Sequence, residues 1–122
     1  MSDELWEAWF QRNAWAEHTQ KFFAKYDLLL SPTAATAAFE HGILYPNTID
    51  GQPVSREASS AFTFPFNMTG EPAASVPCGF TRDGLPIGLQ IIGRRFEDAT
   101  VLRASAAYES ARPWKDRRPP SM

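Results

Sequence analysis

Cys78, His18, His41 and the scattered aspartates are the side chains from which a nucleophile, a base and an orienting acid could be assembled. A thiol attacks a carbonyl only as the thiolate, which needs a neighbouring base. Cys78, however, stands in Ser75-Val76-Pro77-Cys78-Gly79-Phe80, a stretch in which a free cysteine packs as a small hydrophobe. No motif of a known thiol enzyme surrounds it, and the packing reading is preferred. Serine chemistry fares no better. An unactivated hydroxyl is a poor nucleophile, and Ser59-Ser60 lies among alanines with no glycine nearby. Lys21 and Lys25 fall near the end of a predicted helix and Lys115 in the tail, away from any serine motif. The sequence has no Gly-Gly pair to help offer backbone N–H donors to an oxyanion. No catalytic residue is therefore assigned. The two histidines and the carboxylates lack metal-ligand spacing, so no metal site is assigned either.

Arg94-Arg95 could clamp an anion, but a charged pair at the end of a strand is more simply a solvated loop. Trp6, Trp9, Phe10 and Trp15 could form a partner surface, or be core whose covering layer lies elsewhere. With a net charge of -2 and no basic stripe among aromatics, nucleic-acid binding is not expected. The longest apolar runs are far short of a membrane span. The start, Met-Ser-Asp-Glu, lacks the basic and apolar regions of a signal peptide. With a single cysteine, a cytoplasmic protein without membrane association is expected.

These residues must be positioned by elements that the pattern makes legible. At 122 residues, 43% hydrophobic and 21% charged, the chain predicts one globular domain over 1–122, with a loosely ordered tail at 115–122. Large side chains repeat at four from Leu5 to Tyr26, which predicts one helix from Asp3 to Tyr26, about 36 Å long, capped by Ser2. Leu28 to Ser31 reads as a buried strand covered on both faces. Residues 34–52 read as loops and turns, with Pro46-Asn47 and Asp50-Gly51 as turn signals. Ser55 to Phe62 predicts a short helix. Ala74 to Phe80 and Pro86 to Ile92 predict a hairpin across Asp83-Gly84, with Pro77 marking an edge or a bulge. A last helix from Glu97 to about Ala111 turns Val101, Ala104, Ser105 and Tyr108 inward and stops at Arg112-Pro113. Gly70 and Gly84 suit positive φ, while Gly79, Gly88 and Gly93 would permit close approach.

Two segments then stand out together: Phe66-Asn67-Met68-Thr69-Gly70-Glu71-Pro72-Ala73-Ala74-Ser75-Val76-Pro77-Cys78-Gly79-Phe80, and Asp83-Gly84-Leu85-Pro86-Ile87-Gly88-Leu89-Gln90-Ile91-Ile92-Gly93. They resemble the closing segment of the amidase-signature family, whose last part carries an Asn, a Thr-Gly-x-Pro-Ala, a Ser-x-Pro and a Gly-Leu-Pro-x-Gly-Leu-Gln strand. A helix with a late Glu follows in the family, matched by Glu109. Tyr26-Asp27-Leu28-Leu29-Leu30-Ser31-Pro32-Thr33 is similar to the family's strand before its variable pocket loop. The resemblance runs over nearly the whole chain and is weakest from Ala34 to Ser60.

The resemblance implies an α/β fold: the long first helix, a strand, a β-hairpin and a closing helix would be the C-terminal fragment of a mixed sheet flanked by helices. It implies carboxamide C–N hydrolysis without metal or organic cofactor, through a serine, a second serine in a cis peptide and a lysine. In the family these lie upstream of the segment seen here, and no residue of this chain matches them. The neighbourhood of the period-two Phe62, Phe64 and Phe66, with the loop after Thr33, lies near the family's substrate pocket. Thr33, Phe64 and Asn67 are accordingly the substrate-pocket candidates, although the phenylalanines could simply pack and Asn67 could hold a turn. The expected partner is the upstream catalytic portion of an amidase, or a second copy. The rival reading is a binding or assembly module that kept an amidase tail without its chemistry, and a small thiol hydrolase is a third. Strand edges and apolar helix faces without partners predict that the isolated chain is a homo-oligomer. Light scattering at high concentration should show self-association; a monomer that binds no dye for apolar surface would contradict it.

Overall fold

The computed structural model describes residues 3–116 and has the element order α1 (Asp3–Phe23), β1 (Leu28–Pro32), β2 (Thr48–Ile49), β3 (Gln52–Pro53), a 3-10 turn (Arg56–Ser60), α2 (Phe64–Thr69), β4 (Ala73–Phe80), β5 (Pro86–Gly93) and α3 (Asp98–Ala111). The cap assigned to Ser2, and the tail from 117 onward, lie outside the described residues.

The sheet has the order β1-β5-β4, antiparallel throughout. The hairpin partner β5 is thus the middle strand. It pairs Leu28–Pro32 with Gly93–Leu89 on one side and the Ala73–Phe80 strand on the other. Because side chains alternate along a strand, β5 serves two cores at once. Ile92 joins Phe23 and Phe66, with Phe22 and Leu29 against them, on the face met by α1 and α2. Ile91 joins Val76 and Val101, with Ala104 and Tyr108, on the face met by α3. The inner face foreseen for the last helix is the one that packs.

Pro77 fits both of its readings. It lies on an edge strand, and the register slips between Pro77 and Gly79, so Cys78 is the additional residue of a bulge. A proline that cannot donate to the ladder is tolerated at such a place.

Three expectations change. The first helix ends at Phe23, not Tyr26. Lys25 and Tyr26 both donate to Phe22 O, and Arg94 binds Phe23 O through Nε at 3.0 Å and Nη2 at 2.6 Å. The guanidinium satisfies a carbonyl that the helix end leaves open, so Arg94 is more than a solvated charge. Second, β1 is an edge strand with Leu30 exposed, not one covered on both faces. Third, the period-two phenylalanines, given no element from the sequence, fall partly on a helix: α2 has Pro65 in its first turn and ends at Gly70, which is left-handed at φ 84° and donates to Phe66 O. Within the poorly readable segment, Asp50 and Gly51 both take positive φ and join β2 to β3, as a two-residue hairpin turn requires.

Helix α1 uses little of its length for packing. Only Thr19 and Phe23 are buried, and Arg12 donates to Met68 O at 2.9 Å, linking the middle of α1 to α2. Trp6, Trp9, Phe10 and Trp15 are all exposed. Among the described residues no helix is long and apolar enough to cross a membrane.

Gly93 and Gly88 meet the expectation of close approach, whereas Gly79 has open space where a Cβ would go. A Cβ on Gly93 would lie 2.6 Å from Val101 Cγ2, so α3 docks on β5 at a distance that only glycine allows. Gly93→Ala should destabilise the chain by about 1–3 kcal/mol through overpacking. In urea unfolding, Val101→Ala should recover part of that loss in the double variant; strictly additive losses would show that the two positions do not meet.

Candidate substrate groove

The chain leaves β1 at Pro32, but the ladder continues for one more bond: Thr33 N–H donates to Gly88 O at 2.9 Å. That bond holds the Thr33 side chain over β5. On the far side of β5, Ser75 pairs with Gln90, so its hydroxyl rises from the same face. The two hydroxyls meet above Gly88, with Thr33 Oγ1 and Ser75 Oγ 2.7 Å apart. A Cβ on Gly88 would lie 2.8 Å from each oxygen. The pair therefore forms only because residue 88 has no side chain.

This hydroxyl pair floors a groove of about 630 Å³, walled by the loop of residues 34–39, by Ser59, and by Pro77, Pro86 and Ile87. No residue of its lining is ionisable. The 3-10 turn that carries Ser59 is fixed internally. Ser59 Oγ and Ser60 Oγ donate to Arg56 O and Glu57 O within their own 3-10 turn. The Glu57 carboxyl, fully exposed, is held below the ordinary value by its own backbone N–H and then by the Ser55 hydroxyl. It is thus committed as an anion to the start of that turn and is not set up to carry protons.

Next to the groove lies Gln90, buried and paired in register with both Ser31 and Ser75. Its Nε2 donates to Ser31 Oγ at 3.0 Å and to Phe62 O at 2.8 Å. The second bond reaches the segment that leads into α2. Gln90 thereby fastens α2 to the face of the sheet that carries Thr33 and Ser75.

Of the three residues expected near a pocket, Thr33 lies in the groove. Phe64 and Asn67 lie on α2, both exposed and outside the groove lining. Ser75 was not singled out from the sequence, and Ser59 was weighed there only as a nucleophile, not as part of a groove. Ser75 stands in the quoted Ser-x-Pro, on the face of β4 opposite the inward Ala74 and Val76. Cys78 is a half-buried free thiol on the bulge. No described hydrogen bond joins it to a histidine, and His18 Nδ1 is engaged with Ala14 O of its own helix at 2.8 Å. Among the described residues no group of His, Cys, Asp and Glu is arranged to hold a metal ion.

The amidase family profile matches residues 2–102, over four fifths of the sequence. The chain belongs to the amidase family. This amidase chain is 39% identical over 117 residues to the acylamidase of Rhodococcus erythropolis, covering 95% of the chain and 22% of that protein. It is 46% identical over 97 residues to one component of the glutamyl-tRNA(Gln) amidotransferase of Brevibacillus brevis, covering 80% of the chain and 19% of that component. A solved bacterial aryl acylamidase of the amidase-signature enzymes superposes with a TM-score of 0.75 at 36% identity, over 88% of this chain and 24% of that one. The chain thus spans about a fifth of the length of these curated relatives. The resemblance drawn from the Phe66–Phe80 and Asp83–Gly93 segments holds, and so does the α/β class.

Gln90 offers a direct check of how the groove is tied together. Gln90→Leu would leave Phe62 O and Ser31 Oγ without their donor, costing about 1–3 kcal/mol. Hydrogen exchange should accelerate selectively in residues 60–70, while the β4–β5 ladder keeps its protection. Uniform acceleration, or none, would show that Gln90 does not hold this segment.

Proposed function

We propose that this amidase chain supplies the closing part of the sheet and one wall of the substrate groove of an enzyme that hydrolyses carboxamide C–N bonds to acid and amine, and that the residues performing the chemistry are not among its 122. One observation carries the reading. The groove floored by Thr33 and Ser75 has the shape and neutrality to hold part of an amide, yet its hydroxyls are bonded to each other and not to a base. Other groups agree with this. Ser59 and Ser60 donate into their own turn. Lys21 is paired with Glu17 at 3.0 Å on the exposed face of α1. The family match and the acylamidase relatives support amide hydrolysis as the activity of the complete enzyme.

The same reading assigns Phe64 and Asn67 to the pocket's outer side, on a helix held by Gln90 to the groove-bearing face. The partner is the catalytic portion of an amidase. A cytoplasmic setting goes with it, supported by a lone free cysteine. The second reading, a non-catalytic assembly module, is favoured by the exposed aromatics of α1, which form a surface suited to another chain.

The purified 122-residue chain should show no turnover of acetanilide or other simple amides above the blank. Turnover that disappears in Ser59→Ala or in Cys78→Ala would overturn the assignment, the latter in favour of a thiol hydrolase. If turnover is absent, a coding segment for a Ser-Lys amidase core immediately upstream would separate the enzyme reading from the assembly module.

A further inference from the structure

The chain contains two Asp-Gly pairs, Asp50-Gly51 and Asp83-Gly84, each exposed between paired strands. Glycine puts no side chain beside the preceding carboxyl, so its backbone nitrogen can reach the aspartate Cγ. At Asp50 the chemistry would run as follows. Gly51 N bonds to Asp50 Cγ and gives up its proton, and a carboxyl oxygen leaves as water. The product is a cyclic imide. Water then adds to the main-chain carbonyl carbon of Asp50 and breaks its bond to Gly51 N, so that the chain runs on through Cβ as isoaspartate. One water is lost and one is gained. Mass is unchanged, and no oxidant or other reactant enters.

The step needs a free glycine N–H and an aspartate that can rotate toward it. At the second pair neither is on offer. Gly84 N–H donates to Thr81 O at 3.1 Å, Thr81 N–H donates to Leu85 O at 2.8 Å, and Leu85 N–H donates to Thr81 Oγ1 at 3.0 Å. These bonds close the turn between the two eight-residue strands of the main sheet. At the first pair no described hydrogen bond takes the Gly51 N–H. The strands it joins have two residues each, pair only with one another, and are extended by a single bond from Val54 N–H to Asn47 O at 3.0 Å. So small a hairpin opens readily. Asp50 also holds φ at 50°, which a residue with a Cβ leaves easily, whereas Asp83 is not in that region.

We propose that Asp50 is a site of spontaneous isomerisation to isoaspartate in the folded chain, and that the hydrogen bonds around Thr81 protect the chemically equivalent Asp83. The proposal goes beyond the amide-hydrolase reading and stands independently of it. The added main-chain carbon lengthens a turn that accommodates two residues, so the β2–β3 register is lost when Asp50 converts.

The test is ageing of the full chain at neutral pH and physiological temperature, with isoaspartate located by peptide mapping and fragment-ion mass spectrometry. Native protein should accumulate isoaspartate at residue 50 at least about ten-fold faster than at residue 83, the worth of two hydrogen bonds at the protected turn. In concentrated urea the two sites should convert to comparable extents. Thr81→Val removes one acceptor from the protected turn and should raise conversion at Asp83 about five-fold while leaving Asp50 unchanged. Equal native rates, faster conversion at Asp83, or no conversion at Asp50 while the urea sample converts would each overturn the proposal. So would a bias toward Asp50 that persists undiminished in urea, since the cause would then be local sequence and not the fold. An unchanged rate at Asp83 in Thr81→Val would refute the protective role of that turn.

Discussion

Strand β5 is hydrogen-bonded along both edges, and the rest of the chain is arranged around what its side chains omit. Gly93 lets α3 come down onto one face, and Gly88 lets two hydroxyls close over the other. Between them Gln90, Ile91 and Ile92 are all buried, and each turns to a different task. Ile91 and Ile92 anchor opposite cores, while the amide of Gln90 holds the segment before α2. A strand with two empty positions and three buried ones joins a helix, a groove and a hydrogen-bonded clamp in eight residues. Close packing on both faces is the condition for that economy, since interiors tolerate neither added methylenes nor gaps without cost.

The contrast lies at α1. Its last turn is buried and gripped by Arg94, and its middle is tied to Met68 O, but the aromatic residues of its first half face outward. Exposed Trp6, Trp9 and Phe10 lie on one side of the helix, a grouping of the kind that marks an interaction surface. The helix is ordered by its own backbone bonds and by two distant anchors. The chain spans about a fifth of the length of the curated relatives it matches.

What the sequence made legible follows from the range of the physics involved. The hairpin was readable because Asp83-Gly84 and the flanking apolar runs act over a few residues, and Pro77 announced its edge and bulge by lacking an N–H. The inward face of α3 followed from helical spacing alone. The end of α1 was not readable, because it depends on a guanidinium 71 positions away in the chain. The period-two phenylalanines left their element unassigned: Phe64 and Phe66 alternate as in a strand, while Pro65 in a first turn and Gly70 at a left-handed cap make that stretch a helix. In the groove, Thr33 was accessible through the family resemblance. Its partner Ser75 was not, since a contact between residues 42 apart exists only once the register across β5 is known.

The bulge at Cys78 carries a consequence for how such a chain can change length. Before it, Ser75 and Pro77 sit opposite the even-numbered Gln90 and Gly88; after it, Gly79 sits opposite the odd-numbered Ile87. One inserted residue has therefore reversed the parity of the strand. Gaining or losing a single amino acid between Val76 and Gly79 would exchange the faces of everything beyond, whereas a change of two would restore them. Pleating alone therefore makes a further change of two residues at this point easier to absorb than a change of one.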